Sequence, residues 1–365
     1  MTRTVLAGIV ALGAVVPIAP VAPVAQQAPA SLVQNGRVET KAATSIDREI
    51  AAVGTSADAA WLAWRVPMVD GERNMCSTWY SDAYGYVRGQ QLEPTEGFAP
   101  PKIAAPAGPV ALEGGTNLIV LARVVDGKLE RLRSLSDDCP MDAGGRPFTW
   151  LTGITSAESL RFLEGQVRRE NVPLDQQRRF SDSAASAISL HRDPAADAIL
   201  DRLASSDRDS DMRRRAGMWL GQYRGAHGLG TLKALIGTEK DQSTRVSFVN
   251  ALAQTRQPGT ADALLALAQN DADPKVRAEA VYWYPVRAGT AGINATRAII
   301  DKDVDDNVKK RAVSGLSRLP NEGGIPTLIE LAQPKSNPVV RKEAISALGR
   351  SKDPRAVAFL EQILR

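Results

Sequence analysis

The segments DPKVRAEAVYWY (Asp273–Tyr284), DDNVKKRAVSGL (Asp305–Leu316) and NPVVRKEAISAL (Asn337–Leu348) start 32 residues apart and share one pattern. Each opens on a polar residue, carries a cation four places on, and places small or apolar residues seven, eight and eleven places on. Extended upstream, the same spacing collects Ala184, Ala216, Phe248, Ala280, Ala312 and Ala344, with Ile188, Leu220, Leu252, Tyr284, Leu316 and Leu348 four residues later. Offsets of zero and four fall on one side of a helix. Sixteen residues after the first set stand Leu200, Leu232, Leu264, Thr296, Leu328 and Leu360, which mark a second helix. Between the two helices of the units lie glycine and proline, at Gly225 to Gly230, Pro258-Gly259, Gly289 to Gly292, Pro320 to Gly324 and Pro354. Each unit is therefore a helical hairpin. A lone hairpin cannot bury its apolar stripe, so the units must stack. The fold class predicted is mainly α: a C-terminal right-handed α-solenoid of six hairpins over residues 181–365.

The opening residues Asp209, Asp241, Asp273, Asp305 and Asn337 are of the types that cap helix N-termini, and Pro274 and Pro338 occupy the first helical position after two of them. The cations Arg213, Arg245, Arg277, Lys309 and Arg341 stand one turn further on. They lie on the side of the wheel that turns toward the neighbouring unit, which predicts a structural ladder paired with acids and carbonyls rather than an anion-binding stripe. Some positions depart from the pattern. Tyr284 stands in a leucine position, Pro285 is expected to cut its helix short, Thr296 replaces a second-helix leucine, and Ser181 stands where the first unit should have a cation.

The run D-x-x-V-(K/R)-x-x-A-(V/I)-x-x-L resembles the HEAT repeats shared with phycobilisome-lyase-like proteins. The resemblance spans about half the chain and implies a fold more than a chemistry. One enzyme of this repeat type, deoxyhypusine hydroxylase, holds a di-iron site on repeated His-Glu pairs. Here His191 is followed by Arg192 and His227 by Gly228, so that site is not expected. The order of a small N-terminal domain and a repeat array also resembles a group of secreted bacterial HEAT-repeat proteins of unassigned function.

Residues 31–155 break the helical period and predict a small α+β domain with antiparallel strands. Trp61 to Met68 reads as a strand, Asn117 to Val125 and Lys128 to Arg133 as a hairpin about Asp126-Gly127, and Phe148 to Leu151 as a last strand. Gly89 to Pro109 reads as a long loop. A joining helix and linker are expected over 156–180, with the helix running from Ser156 to Arg169. At the start of the chain, Arg3, the apolar run Val5 to Val16 and the small residues Ala28-Pro29-Ala30 read as a signal peptide over residues 1–30. The run is too short to span a bilayer. The mature chain is thus expected to be periplasmic or secreted, without an integral membrane span. In that setting the only cysteines, Cys76 and Cys139, read as a disulfide.

The net charge is +4, and the cations are spread through the chain instead of forming the continuous stripe a nucleic-acid backbone requires. No HExxH, GxSxG, phosphate-loop or dinucleotide signature stands in a suitable context. No catalytic residue, cofactor or metal is assigned. Asp137, Asp138 and Asp142 form an acidic turn that lacks the spacing of a calcium loop. The remaining candidates are Trp219, Tyr223 and Trp283 at the edge of the apolar face, and Lys233 and Arg297 within a second-helix row that also contains Asp201, Leu265, Ile329 and Glu361. Such a surface suits a protein or peptide partner and predicts a monomeric interaction or scaffold protein. The alternatives are an enzyme centred near Cys76 and Cys139, and a purely structural envelope protein.

Overall fold

The computed structural model describes residues 32–54, 58–71, 75–79, 86–93, 115–167, 173–205 and 208–364. The stretch expected to be a signal peptide lies outside these residues, as does most of the loop expected after Gly89.

The N-terminal region opens with β1 (Val33–Gln34), β2 (Arg37–Ala42), α1 (Ile46–Ala52) and β3 (Ala60–Pro67). It continues through β4 (Ser77–Trp79), β5 (Tyr86–Arg88), β6 (Gln90–Gln91), β7 (Asn117–Val125), β8 (Lys128–Ser136), β9 (Met141–Asp142) and β10 (Pro147–Thr152). The strands read from sequence are present, and the start of the expected loop carries the short strand β6. The main sheet has the order β2-β10-β3-β7-β8. It is mixed rather than antiparallel, because β10 pairs in parallel with both β2 and β3. The connection from β2 to β3 carries α1 and leaves room between these two strands for β10, which pairs with both. All six residues of the edge strand β2 are exposed, and its charges at Arg37, Glu39 and Lys41 discourage pairing with another chain.

Alternation along β3 and β7 divides the sheet into two faces. Leu62, Trp64 and Val66 of β3 and Leu118, Val120 and Ala122 of β7 join the core beneath the helices. Trp61, Ala63, Ile119 and Leu121 face a second core with Phe148, Trp150 and both cysteines. Small sheets of order β1-β9-β6 and β4-β5 accompany this second face. The Cys76–Cys139 disulfide, with 5.2 Å between its Cα atoms, lies within it.

Helix α2 (Ser156–Val167) packs against α3 (Leu174–Leu190), and α3 in turn lies on β7 and β8. Trp64 meets Phe162 of α2 edge-on at 5.7 Å between ring centroids. One apolar core therefore runs from Ala43 beneath the sheet to Phe359 near the C-terminus.

Six hairpins follow: α3 with α4 (Ala195–Ala204), α5 (Ser210–Tyr223) with α6 (Gly225–Thr238), and α7 (Gln242–Gln254) with α8 (Thr260–Asn270). The last three pair α9 (Pro274–Ala288) with α10 (Ile293–Lys302), α11 (Asp306–Leu316) with α12 (Ile325–Leu331), and α13 (Pro338–Gly349) with α14 (Pro354–Leu364). The repeated Ala184, Ala216, Phe248, Ala280, Ala312 and Ala344 are all fully buried. Asp209, Asp241, Asp273, Asp305 and Asn337 each accept a backbone N–H of the first turn. First helices pack on one another down the array, α5 on α7, α7 on α9, α9 on α11 and α11 on α13, more closely than second helices do. The first-helix layer is thus the tighter one, and the second-helix row of Asp201, Lys233 and Arg297 lies on the looser layer.

Pro285 does not end its helix, contrary to the sequence expectation: α9 continues to Ala288. A proline within a helix removes one N–H and crowds the carbonyl four residues earlier. Gly315 of α11 packs against that distorted stretch, where a Cβ would lie 2.6 Å from the Tyr282 carbonyl oxygen and 2.9 Å from Cγ of Pro285. Thr296 fills its leucine position by turning its hydroxyl to the Gly292 carbonyl at 2.8 Å.

Candidate functional site

Three of the ladder cations pair with the acid that follows the second helix of their own unit. Arg213 pairs with Glu239, Arg245 with Asp271 and Arg277 with Asp303, each 26 positions on in sequence. Arg245 also donates to the Ile236 carbonyl, and Arg277 to the carbonyls of Asp271 and Ala272. Among the described residues, Arg341 reaches only the Pro334 carbonyl, at 3.1 Å. The same acids accept the N–H of the next cap residue, Glu239 from Asp241, Asp271 from Asp273 and Asp303 from Asp305, at 2.8 to 2.9 Å. Each acid thus ties one unit to the helix start of the next.

The other sequence candidates separate by environment. Trp219 is 6% exposed and packs in the core, so it presents little surface to a partner. Tyr223 is half-buried against the same core. Lys233 is exposed, and Arg297 is paired with Glu330. The acidic turn is occupied by protein donors: Asp137 accepts from Asn117, Asp138 from Arg88, and Asp142 from Asn35 and Gly144. No cluster of three potential metal ligands occurs among the described residues. The sulfurs of Cys76 and Cys139 are joined to each other, so neither is a free thiol.

Trp283, at the same repeat position as Trp219, is only half-buried and anchors an aromatic and cationic patch. Its Nε1 donates to Asn250 Oδ1 at 2.6 Å and to Glu279 Oε1 at 2.9 Å. Glu279 also accepts from Arg311 at 2.6 Å. The Arg311 guanidinium lies 3.8 Å over the ring of Tyr282, which meets Trp283 edge-on at 5.1 Å. Pairing and a cation–π contact together orient this group.

Around it stand cations of another kind. Arg287 lies 5.8 Å from the Trp283 ring and Arg318 6.0 Å from the Tyr282 ring. The Nε of Arg287 is buried without a hydrogen-bond partner. Burial, and then repulsion from Arg256, hold the Arg287 guanidinium below its ordinary range. No ion pair engages Arg256, Arg287 or Arg318 among the described residues. Their places near the C-terminal ends of α7, α9 and α11 complement the helix dipoles, which favours a cation there. The dipole leaves the buried donor of Arg287 unsatisfied. These three arginines were missed in the sequence because they recur every 31 residues, and the strict period of 32 passes over them.

Comparison with known families agrees with the repeat geometry: the model for HEAT repeats matches residues 179–282 and 293–365. The C-terminal region is an array of HEAT repeats. The interval between the two matched stretches, 283–292, contains Trp283, Pro285 and Arg287, so the patch is centred where this array departs from its family pattern. No curated protein matches the chain. Among solved structures, human deoxyhypusine hydroxylase in complex with glycerol is similar at 15% identity and a TM-score of 0.31, over 56% of this chain and 89% of that one. The complex of CpcE and CpcF of phycocyanin lyase from Nostoc is similar at 14% identity and a TM-score of 0.31, over 56% and 88%. No helix among the described residues is long and apolar enough to cross a membrane.

Proposed function

We propose that the HEAT-repeat array is a protein-interaction module acting outside the cytoplasm, and that it holds an acidic segment of a partner protein on the patch around Trp283. The apolar run Val5 to Val16 and the Cys76–Cys139 disulfide support export to an oxidising compartment. The observation that carries the binding reading is Arg287, a half-buried guanidinium with an unsatisfied Nε, placed between two further unpaired arginines and beside half-exposed aromatic rings. A partner carboxylate would satisfy that donor and relieve the repulsion from Arg256. Tyr282 and Trp283 would add apolar contact, and aromatic and arginine anchors of this kind dominate interfaces.

The test is crosslinking and affinity capture from the native envelope with the full chain, run beside Arg287→Glu and Arg318→Glu together. Arg350→Glu, an exposed change at the far end of the array, is the control. Loss of one saturable partner in the double variant, with the control unchanged, is the expected result. A captured set unaffected by the charge reversal, or no saturable partner at all, would overturn the reading and return attention to the N-terminal region.

A further inference from the structure

The ladder that ties the units together fails at one step. Arg213, Arg245 and Arg277 each find an acid 26 positions on, but the same spacing from Lys309 arrives at Lys335. In the three intact steps the acid receives both the ladder cation and the N–H of the next cap residue. Lys335 can accept neither. Lys309 is half-buried, and no ion pair or hydrogen bond engages the side chain of Lys309 or Lys335, or the N–H of Asn337, among the described residues.

These groups line a cavity of about 510 Å³. The cavity one unit earlier, of about 550 Å³, is lined at the corresponding positions by Arg277 and Asp303, which are bonded to each other through both guanidinium nitrogens that face the carboxylate. The later cavity therefore has an ammonium, Lys335, at the position of the Asp303 carboxylate, while Asp301 and Glu330 line it where the earlier cavity has Gln269 and Ala298. Arg297 in its wall is already paired with Glu330, so it does not neutralise the two lysines and is not itself free. The volume is of the size that holds a small molecule or an inserted side chain.

We infer that this cavity is a binding site for a carboxylate, which would sit between the ammonium groups of Lys309 and Lys335 and accept the N–H of Asn337. The ligand restores the link that Glu239, Asp271 and Asp303 make within the chain, and so braces the fifth unit against the sixth. The site is separate from the patch around Trp283. Lys309 stands in the first turn of α11 and Arg318 just past its last, so the two lie about 13 Å apart along the helix at the ordinary rise per residue.

The carboxylate is free in a small organic acid or carried on an acidic segment of another protein, and the experiment separates the two. Succinate and a hexaglutamate peptide are titrated at constant ionic strength into the full chain, and into Lys335→Asp and Lys309→Met, following the backbone amide resonance of Asn337. Lys335 is exposed, and Lys335→Asp supplies the missing carboxylate from within, so this variant keeps the fold. Saturable binding of succinate that weakens at least tenfold in both variants supports a small-molecule site. Saturable binding of the peptide alone, weakened equally, supports a partner side chain. No saturable shift with either probe, or binding that persists unchanged in Lys335→Asp, would overturn the inference.

Discussion

The Nε2 atom of His191 lies 2.9 Å from the hydroxyl of Ser159, joining the end of the first array helix to the helix that covers the sheet. The imidazole Nδ1 is 2.8 Å from the Ala187 carbonyl, which can only accept, so Nδ1 carries the proton and Nε2 accepts from Ser159. The same hydroxyl accepts from Trp64 Nε1 at 2.8 Å. A fully buried polar chain thus runs from sheet to solenoid with every donor placed.

Burial lowers the pKa of His191 to about 4, against the raising effects of the Ala187 carbonyl and Asp193, and Arg224 lowers it further. The unfolded chain therefore binds this proton first as the pH falls. The stability due to neutral His191 is complete above about pH 6.5 and is lost progressively toward pH 4. Between pH 7 and pH 5 the loss should be about 2 kcal/mol in denaturant unfolding. His191→Gln should flatten that slope, and an unchanged slope would assign it to other groups.

Arg277→Gln removes the charge that Asp303, only 8% exposed in its side chain, receives from the first helix of its own hairpin. Asp303 would keep the N–H of Asp305 and lose its cation. The expected cost is about 2 kcal/mol of stability, with partner capture intact. Lost capture at full stability would show instead that the ladder is a binding surface.

Gly315→Ala should destabilise the array by about 1–3 kcal/mol although alanine is the better helix former, because the new methyl meets the Tyr282 carbonyl and the Pro285 ring rather than open space. Equal or higher stability in thermal unfolding would mean that α9 and α11 can separate at little cost.

Reducing the Cys76–Cys139 bridge, or replacing both residues by serine, should lower stability by about 4 kcal/mol in the chain-entropy account of a loop closed over 63 positions. The transition of the repeat array should remain. Coincident loss of both regions at one midpoint would instead show that the continuous core makes them a single cooperative unit.

The period of 32, the hairpin in each unit and the capping residues were legible in the sequence because each is local: helix periodicity, turn residues and N-caps act within a few positions of the chain. Pro285 was read locally too, and there the local rule lost to packing, since Gly315 of the next unit accommodates the distortion. The mixed sheet was illegible for a related reason. Phe148 to Leu151 reads as a strand in isolation, but its insertion between β2 and β3 depends on partners about 90 to 110 residues away. Tertiary structure alone decided which charges are satisfied. Arg277 and Lys309 occupy the same place in the repeat, and they differ because the acid position at the end of the hairpin is Asp303 for one and Lys335 for the other. Whether a cation is a brace or an open site is a property of what stands opposite it, and that is set only when the hairpin closes.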